Sequence, residues 1–378
     1  MPILRGLFLK RYFDASDNAA LNFVTIATPH ATGWIYSVRL VSLIELDVMP
    51  DIFAPGTFSY RPRWFNIILM GIIHAGCLLA PFYFSWSAVA VCFFFGWVSC
   101  CLGITLGWHR LLTHGSFKTS RPMKYFLTIC GCLAWQNGPI EWVGTHRLHH
   151  NHTDHAPDPH SPRVHTRGGK IKRTIGLIWA HAGWVFVHLE KDPCAAAKDL
   201  QRDKGMVIID RLFWLPGMLL GVALYFIGEW FGGQGIAFVV WGIFVRTTMM
   251  YHATWFVNSA SHAWGYRNFD TNDDSTNLWW VAIITFGEGW HNNHHAQQNS
   301  AAHGMRWWEF DLTWLIIRAM RATGLAWKIV EPKREKMTKL HKLAEASFNQ
   351  QASQTPSASK TEERQTPIMA NAQAGSAQ

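Results

Sequence analysis

Four largely apolar runs, Trp64 to Phe84, Trp86 to Trp108, Leu212 to Trp230 and Gly235 to Val257, each approach the roughly 20 residues a helix needs to cross a bilayer. Inside hydrocarbon the backbone has to satisfy its own N–H and C=O groups, so runs of this length are expected to be helices. Composition points the same way: the chain is 49% hydrophobic, with 21 Trp and 24 Phe, yet carries a formal net charge of +9. That combination reads as apolar spans set between basic loops. The expected fold is an all-α membrane protein with four transmembrane helices.

Charge sets the expected topology. The first two runs are separated only by the turn around Pro81 and Ser85, and the second two by Gly228 to Gln234, which holds no Lys or Arg. The stretch between runs two and three carries Arg110, Lys118, Arg121, Lys124, Arg147, Arg163, Arg167, Lys170, Lys172 and Arg173. The positive-inside rule therefore places this stretch and both termini in the cytosol or its equivalent. These cations are expected to meet lipid and an electron donor rather than nucleic acid.

Other segments bound the domain layout. Residues 1–60 read as an N-terminal cytosolic and interfacial segment without a secretory signal. Residues 61–332 hold the spans, and the polar stretch 333–378, rich in Gln, Ser, Thr, Ala and Pro, is expected to be disordered. Met123 to Trp135 is apolar but too short to cross, and fits an interfacial or re-entrant helix. Seven cysteines, at 77, 92, 100, 101, 130, 132 and 194, lie mostly in apolar runs without CxxC spacing, as reduced packing residues do.

Histidines supply the chemistry. They gather as His109 and His114, then His146, His149 and His150, then His291, His294 and His295. With the expected topology all three clusters fall on one face of the membrane, where they can meet in a cytosolic helical cap. Neutral imidazole binds borderline metals such as iron, so the pattern reads as a buried two-metal site with redox chemistry. In His146-x-x-His149-His150 and His291-x-x-His294-His295, offsets of three and four share a helical face while adjacent residues diverge, so each short helix could feed two metals. An offset of five, as in His109 and His114, is about 140° apart on an ideal α-helix. The second span is therefore expected to end between them. His74, alone in an apolar run, reads as a hydrogen-bonded core residue.

The boxes His109-Arg110-Leu111-Leu112-Thr113-His114, His146-Arg147-Leu148-His149-His150 and Glu288-Gly289-Trp290-His291-Asn292-Asn293-His294-His295 resemble those of the membrane fatty acyl desaturases, especially the delta-9 class. The likeness extends to Gly103-Ile104-Thr105, Gln136-Asn137, Glu141-Trp142, Asp158-Pro159-His160, Ala253-Thr254-Trp255 and Asn258 to His262, covering roughly residues 60 to 330. It implies a histidine-ligated di-iron centre in which His262 is a ninth ligand and Asn258 acts through water. It further implies a kinked acyl tunnel with Gln136, Trp142 and Thr254 at its bend, and Asp158 and His160 behind the ligands. The implied reaction uses dioxygen to place a cis double bond in a saturated acyl chain. His252 is left as a buried polar group.

The resemblance also separates branches. Where animal acyl-CoA enzymes carry an Arg-Asp pair that contacts CoA, this chain has Gly144 and Thr145. The runs Trp142-Val143-Gly144-Thr145-His146 and Gly287 to His295 are more similar to the acyl-lipid branch of bacteria and plastids, so the implied substrate is glycerolipid-bound, with acyl-CoA as the alternative. No His-Pro-Gly-Gly haem signature occurs, and a separate ferredoxin or cytochrome b5 is expected to deliver electrons. A bacterial inner membrane is favoured over plastid or endoplasmic reticulum, since no transit peptide is evident. A membrane di-iron hydroxylase is the more distant alternative. A metal transporter would instead line the spans themselves with ligands.

Overall fold

The structure is a computed structural model and describes residues 22–30, 33–41, 58–155, 157–163, 170–189 and 191–333. Most of the expected N-terminal segment and all of the expected disordered stretch beyond Lys333 lie outside these residues. The described chain is mostly helical.

The sequence dictates where the helices start and stop. An antiparallel hairpin, β1 (Asn22–His30) with β2 (Gly33–Val41), comes first, followed by β3 (Phe58–Pro62). Helix α1 spans Trp64–Cys77, 14 residues, and is shorter than the expected span to Phe84. Its chain turns before Pro81, which lacks an N–H and disfavours helix in the preceding residue. Ser85 accepts from the Ala88 N–H at 3.1 Å, a side-chain cap that opens α2 (Trp86–Thr113), 28 residues long. After strand β4 (Lys118–Thr119), Ser120 caps α3 (Arg121–Cys132) in the same way. Then come α4 (Pro139–His152), α5 (Lys170–His181) and β5 (Val187–Leu189).

The third expected span is a broken pair: α6 (Lys204–Arg211) and α7 (Leu215–Trp230) meet at 57°. Pro216 stands in the first turn of α7, where its missing N–H costs nothing but where an unbroken helix would lose a hydrogen bond. Helix α8 (Gly235–His262) again has 28 residues. The chain continues with α9 (Trp279–Ile284), α10 (His291–Ala296), α11 (Leu312–Ala322) and β6 (Ala326–Trp327). Among the described residues the architecture is mostly helical, with three two-stranded pairs, β1 with β2, β3 with β5 and β4 with β6.

Among the described residues, α2 and α8 alone are single helices long and apolar enough to cross a membrane, with the bent pair as a third candidate and α1 as a shorter apolar helix. Twenty-eight residues extend about 42 Å, beyond the roughly 30 Å of a hydrocarbon core. The C-terminal ends of α2 and α8 carry His109 and His262. Along the spans, Phe93, Phe226 and Trp230 are 63%, 66% and 83% exposed, as suits side chains facing lipid. One apolar cluster joins α1, α7 and α8 through Ile73, Leu224, Ile243 and Tyr251. A second packs α2, α3 and α4 through Ile104, Trp108, Cys132, Ile140 and Val143.

Candidate metal centre

The first box sits on a stretch of α2 that is wound more widely than an α-helix. From Trp97 to Thr113 the backbone follows i→i+5 hydrogen bonding, and the His114 N–H reaches the His109 carbonyl at 3.2 Å. The helix ends at Thr113, between His109 and His114 as expected, but in the wide winding rather than as an ideal α-helix. In this winding an offset of five returns to nearly the same face, and the two rings lie 4.8 Å apart. Box one is held against α3 by close backbone approach. A Cβ on Gly103 would strike the Gly131 backbone, and one on Gly107 would come 2.9 Å from the Leu127 carbonyl. The Trp108 indole also donates to the Thr128 carbonyl at 3.0 Å.

Boxes two and three lie on α4 and α10, and each divides between two groups. His109, His114, His146, His150 and His294 offer nitrogens within 4.8 Å of one another; His149, His262, His291 and His295 do the same. In the first group the Nε2 atoms of His109 and His294 are 3.1 Å apart, those of His294 and His150 2.9 Å, and those of His150 and His146 3.0 Å. In the second, the His291 and His262 Nε2 atoms are 3.0 Å apart and those of His149 and His295 3.4 Å. All nine histidines singled out from the sequence are brought together.

Outward-facing nitrogens show what the inward ones must be. His149 Nδ1 lies 3.0 Å from both oxygens of Asp158, His262 Nδ1 is 3.0 Å from Asp154, and His295 Nδ1 is 3.0 Å from Asp273. His109 Nδ1 is 2.5 Å from Glu288. A carboxylate only accepts, so each Nδ1 carries the proton and the matching Nε2 presents a lone pair. His149 and His295 then face each other across 3.4 Å with two lone pairs and no hydrogen between them, which a shared cation would turn from repulsion into attraction. Carboxylate behind imidazole is also how metal-binding histidines are oriented and made more basic. The donor set fits a metal in each group.

Burial keeps five of these rings neutral, whereas at His262 the facing Asp154 carboxylate outweighs burial and raises the imidazole above its ordinary range. Desolvation holds His146, His149, His150, His291 and His294 well below the ordinary histidine range. Burial acts to raise the Asp154 and Asp273 carboxyls, but the facing His262 and His295 and their hydrogen bonds outweigh it, and both lie below their usual range. A neutral imidazole and an ionised carboxylate are the forms that metal binding requires.

The residues expected at the tunnel bend also meet. Gln136 Nε2 donates to Thr254 Oγ1 at 2.7 Å and its carbonyl accepts from the Trp142 indole at 3.1 Å. All three line one cavity together with Asn258, His146 and His160. His160 lies against the His149 ring, centroids 4.3 Å apart, and its backbone N–H donates to Asp158 at 3.1 Å. Trp135 and Asn137, flanking Gln136, have φ of 50° and 65°, conformations that cost about 1–3 kcal/mol each in a residue other than glycine.

Four groups escaped the sequence reading as individual contributors. Glu288 sits inside the third box, Asp154 just after the second and Asp273 eleven residues beyond His262, and nothing in spacing alone marks them as supports. The fourth is His303, fully buried, its ring centroid 4.4 Å from that of His294 and its Nδ1 3.2 Å from Glu288. Glu288 in turn pairs with Arg110 at 3.0 Å, and Arg110 with Asp311 at 3.0 Å, all three buried.

A mostly helical membrane protein with a paired histidine centre and an adjoining cavity is the class that this fold and site define. Residues 84–329 match the family model described as fatty acid desaturase. The chain is 46% identical over 274 residues to the sn-1 stearoyl-lipid 9-desaturase of Anabaena variabilis, covering 71% of this chain and 94% of that protein. It is 44% identical over 275 residues to the enzyme of the same name from Synechocystis sp., covering 72% and 81%. Against the icosanoyl-CoA 5-desaturase of Limnanthes douglasii it is 40% identical over 281 residues, covering 73% and 74%. The chain belongs to the fatty acid desaturase family and is an oxidoreductase acting on fatty acyl chains with dioxygen.

Proposed function

We propose that this desaturase places a cis double bond at the delta-9 position of an acyl chain esterified to a membrane glycerolipid, using two irons held by the nine histidines. The 3.4 Å approach of the His149 and His295 lone pairs, each ring fixed from behind by a carboxylate, carries the metal assignment. Nitrogen ligands and the precedent of the family favour iron. Bound iron would supply the dioxygen-dependent oxidising power that removes two hydrogens from adjacent CH2 groups.

The chain's own residues do the rest. His109, His114, His146, His150 and His294 hold one iron, and His149, His262, His291 and His295 the other, with Asn258 acting through water from the cavity wall. An alkyl chain has no polar handle near its reacting carbons, so rate and regiochemistry depend on holding it at a fixed distance. Gln136, Trp142 and Thr254, locked to one another, form the bend against which the chain is seated. Asp158 and His160 keep the His149 ring in place. The site is reached from the cytosolic face of four spans, α1, α2, the bent α6–α7 pair and α8, and an external ferredoxin or cytochrome b5 delivers the electrons.

The glycerolipid substrate is supported by the relatives at 43–46% identity, which are named for stearoyl-lipid and palmitoyl-lipid 9-desaturation. It is supported too by Gly144, where a Cβ would strike the Pro193 carbonyl, so the arginine of the animal CoA contact has no room. The second reading, an acyl-CoA substrate, is favoured by relatives at 40–41% identity that carry acyl-CoA names.

A short isotope pulse in a desaturase-deficient host supplied with donor tests this proposal. New delta-9 bonds appearing first in intact glycerolipids support it; first appearance in acyl-CoA selects the second reading, and hydroxylated chains overturn both. Iron at two per chain in the purified protein is the matching expectation for the centre.

A further inference from the structure

The Trp135–Asn137 turn carries Gln136 into the cavity on a backbone with positive φ at both flanking residues, so the surrounding structure has to hold it there. Helix α8 does so at two points. Tyr251, fully buried, donates its hydroxyl to the Trp135 carbonyl at 2.9 Å. Arg246, also fully buried, donates Nη2 to the Leu133 carbonyl at 2.9 Å. The Tyr251 ring meanwhile lies flat on Trp255, with centroids 5.3 Å apart and planes at 11°, and Trp255 is a cavity wall beside Thr254. Residues 251, 254, 255 and 258 are spaced by three and four and share one helix face. The same face thus carries the tie to the turn, the hydrogen-bond partner of Gln136, the cavity wall and Asn258, one turn before His262.

We propose that Tyr251 is a positioning residue that fixes the Trp135–Asn137 turn to the α8 wall, and so sets the distance from the tunnel bend to the histidine groups and the carbon at which the double bond forms. The inference rests on the reading of this cavity as the acyl site. An ångström-scale shift of the turn moves the chain by about one CH2 relative to the oxidant, enough to change which carbons react. The hydroxyl contributes only the tie, since the ring keeps its packing without it.

Tyr251→Phe in the full chain tests this, with double-bond positions mapped by mass spectrometry of derivatised lipids, iron measured on the purified protein, and Gln136→Leu run alongside. The expected result is retained iron and a several-fold rise in the fraction of product with its double bond away from the main position. An unchanged positional distribution, with only a lower melting temperature, would mean that Tyr251 merely packs, and overturns the proposal. If Gln136→Leu also leaves position and rate unchanged, the acyl-site reading itself fails; if Gln136→Leu shifts the product and Tyr251→Phe does not, only the tie fails. Should Tyr251→Phe not accumulate, Arg246→Lys, which shortens the reach to Leu133, carries the same test with the same expected shift.

Discussion

At the scale of single residues, the centre is asymmetric in its support. Three carboxylates, Asp154, Asp158 and Asp273, stand behind the second histidine group, and Glu288 alone stands behind the first. Asp273→Asn keeps an acceptor near His295 Nδ1 but removes its charge, and loss of such a partner typically weakens metal affinity by about 10–100-fold. Chelator competition followed by iron counting should show one of two irons leaving early from this variant, and equal retention of both would remove Asp273 from the supporting set. Glu288 has a second duty. It shares the fully buried Arg110 with Asp311, and deleting one partner of a buried ion pair costs about 3–5 kcal/mol because the remaining charge is stranded. Glu288→Ala should therefore lower the melting temperature of the metal-free protein as well as the iron content. A variant that lost iron while its metal-free form melted normally would contradict the role assigned to Arg110.

At the scale of elements, α2 brings His109 and His114 to one side through its wide winding, which runs to the helix end at Thr113. Its apolar run was legible in the sequence, and so were the two histidines. Their relative orientation was not, because an ideal α-helix was assumed and nothing local in Trp97 to Thr113 announces i→i+5 hydrogen bonding. The tight seam with α3 is the physical counterpart. With Gly103 against the Gly131 backbone and the Trp108 indole over Gly131, the wide turns of α2 lie close on the α3 backbone. Gly103→Val would have to push α3 outward, and overpacking of a closed seam costs about 1–3 kcal/mol. It should reduce both the yield of folded protein and the iron bound through His109 and His114. Normal iron in a normally folded Gly103→Val protein would show that the seam does not set box one.

At the scale of the whole molecule, two of the four apolar runs, those of α2 and α8, are single helices long enough to cross a membrane among the described residues, whereas the other two are interrupted. The stretch Trp64 to Phe84 is apolar throughout yet is helical only to Cys77, and Leu212 to Trp230 begins inside a 57° bend, since breaks at Pro81 and Pro216 depend on backbone chemistry that an average over apolar residues does not register. The histidine grouping was legible because offsets of three, four and one are fixed by helix geometry, whereas the carboxylates behind it arrive from loops whose folding only the tertiary structure reveals. Packing many neutral imidazoles into one buried cap also has a consequence for the entire fold. His146, His149, His150, His291 and His294 lie below their ordinary range through burial, so between the unfolded value of about 6.5 and their folded values the unfolded chain binds more protons. Stability therefore falls as pH drops below about 6.5, and the depressed Asp154 and Asp273 add a further loss below about 4 as the unfolded carboxyls take up protons. Bound metal stabilises the folded state by mass action and competes with protons for the same nitrogens. Melting curves from pH 8 to 5 should thus show the iron-loaded protein above the chelator-treated one at pH 8, with the gap narrowing as the pH falls and both curves descending below about 6.5. A metal-free protein whose melting temperature stayed flat across that range would mean that its cap histidines are solvated and titrate normally.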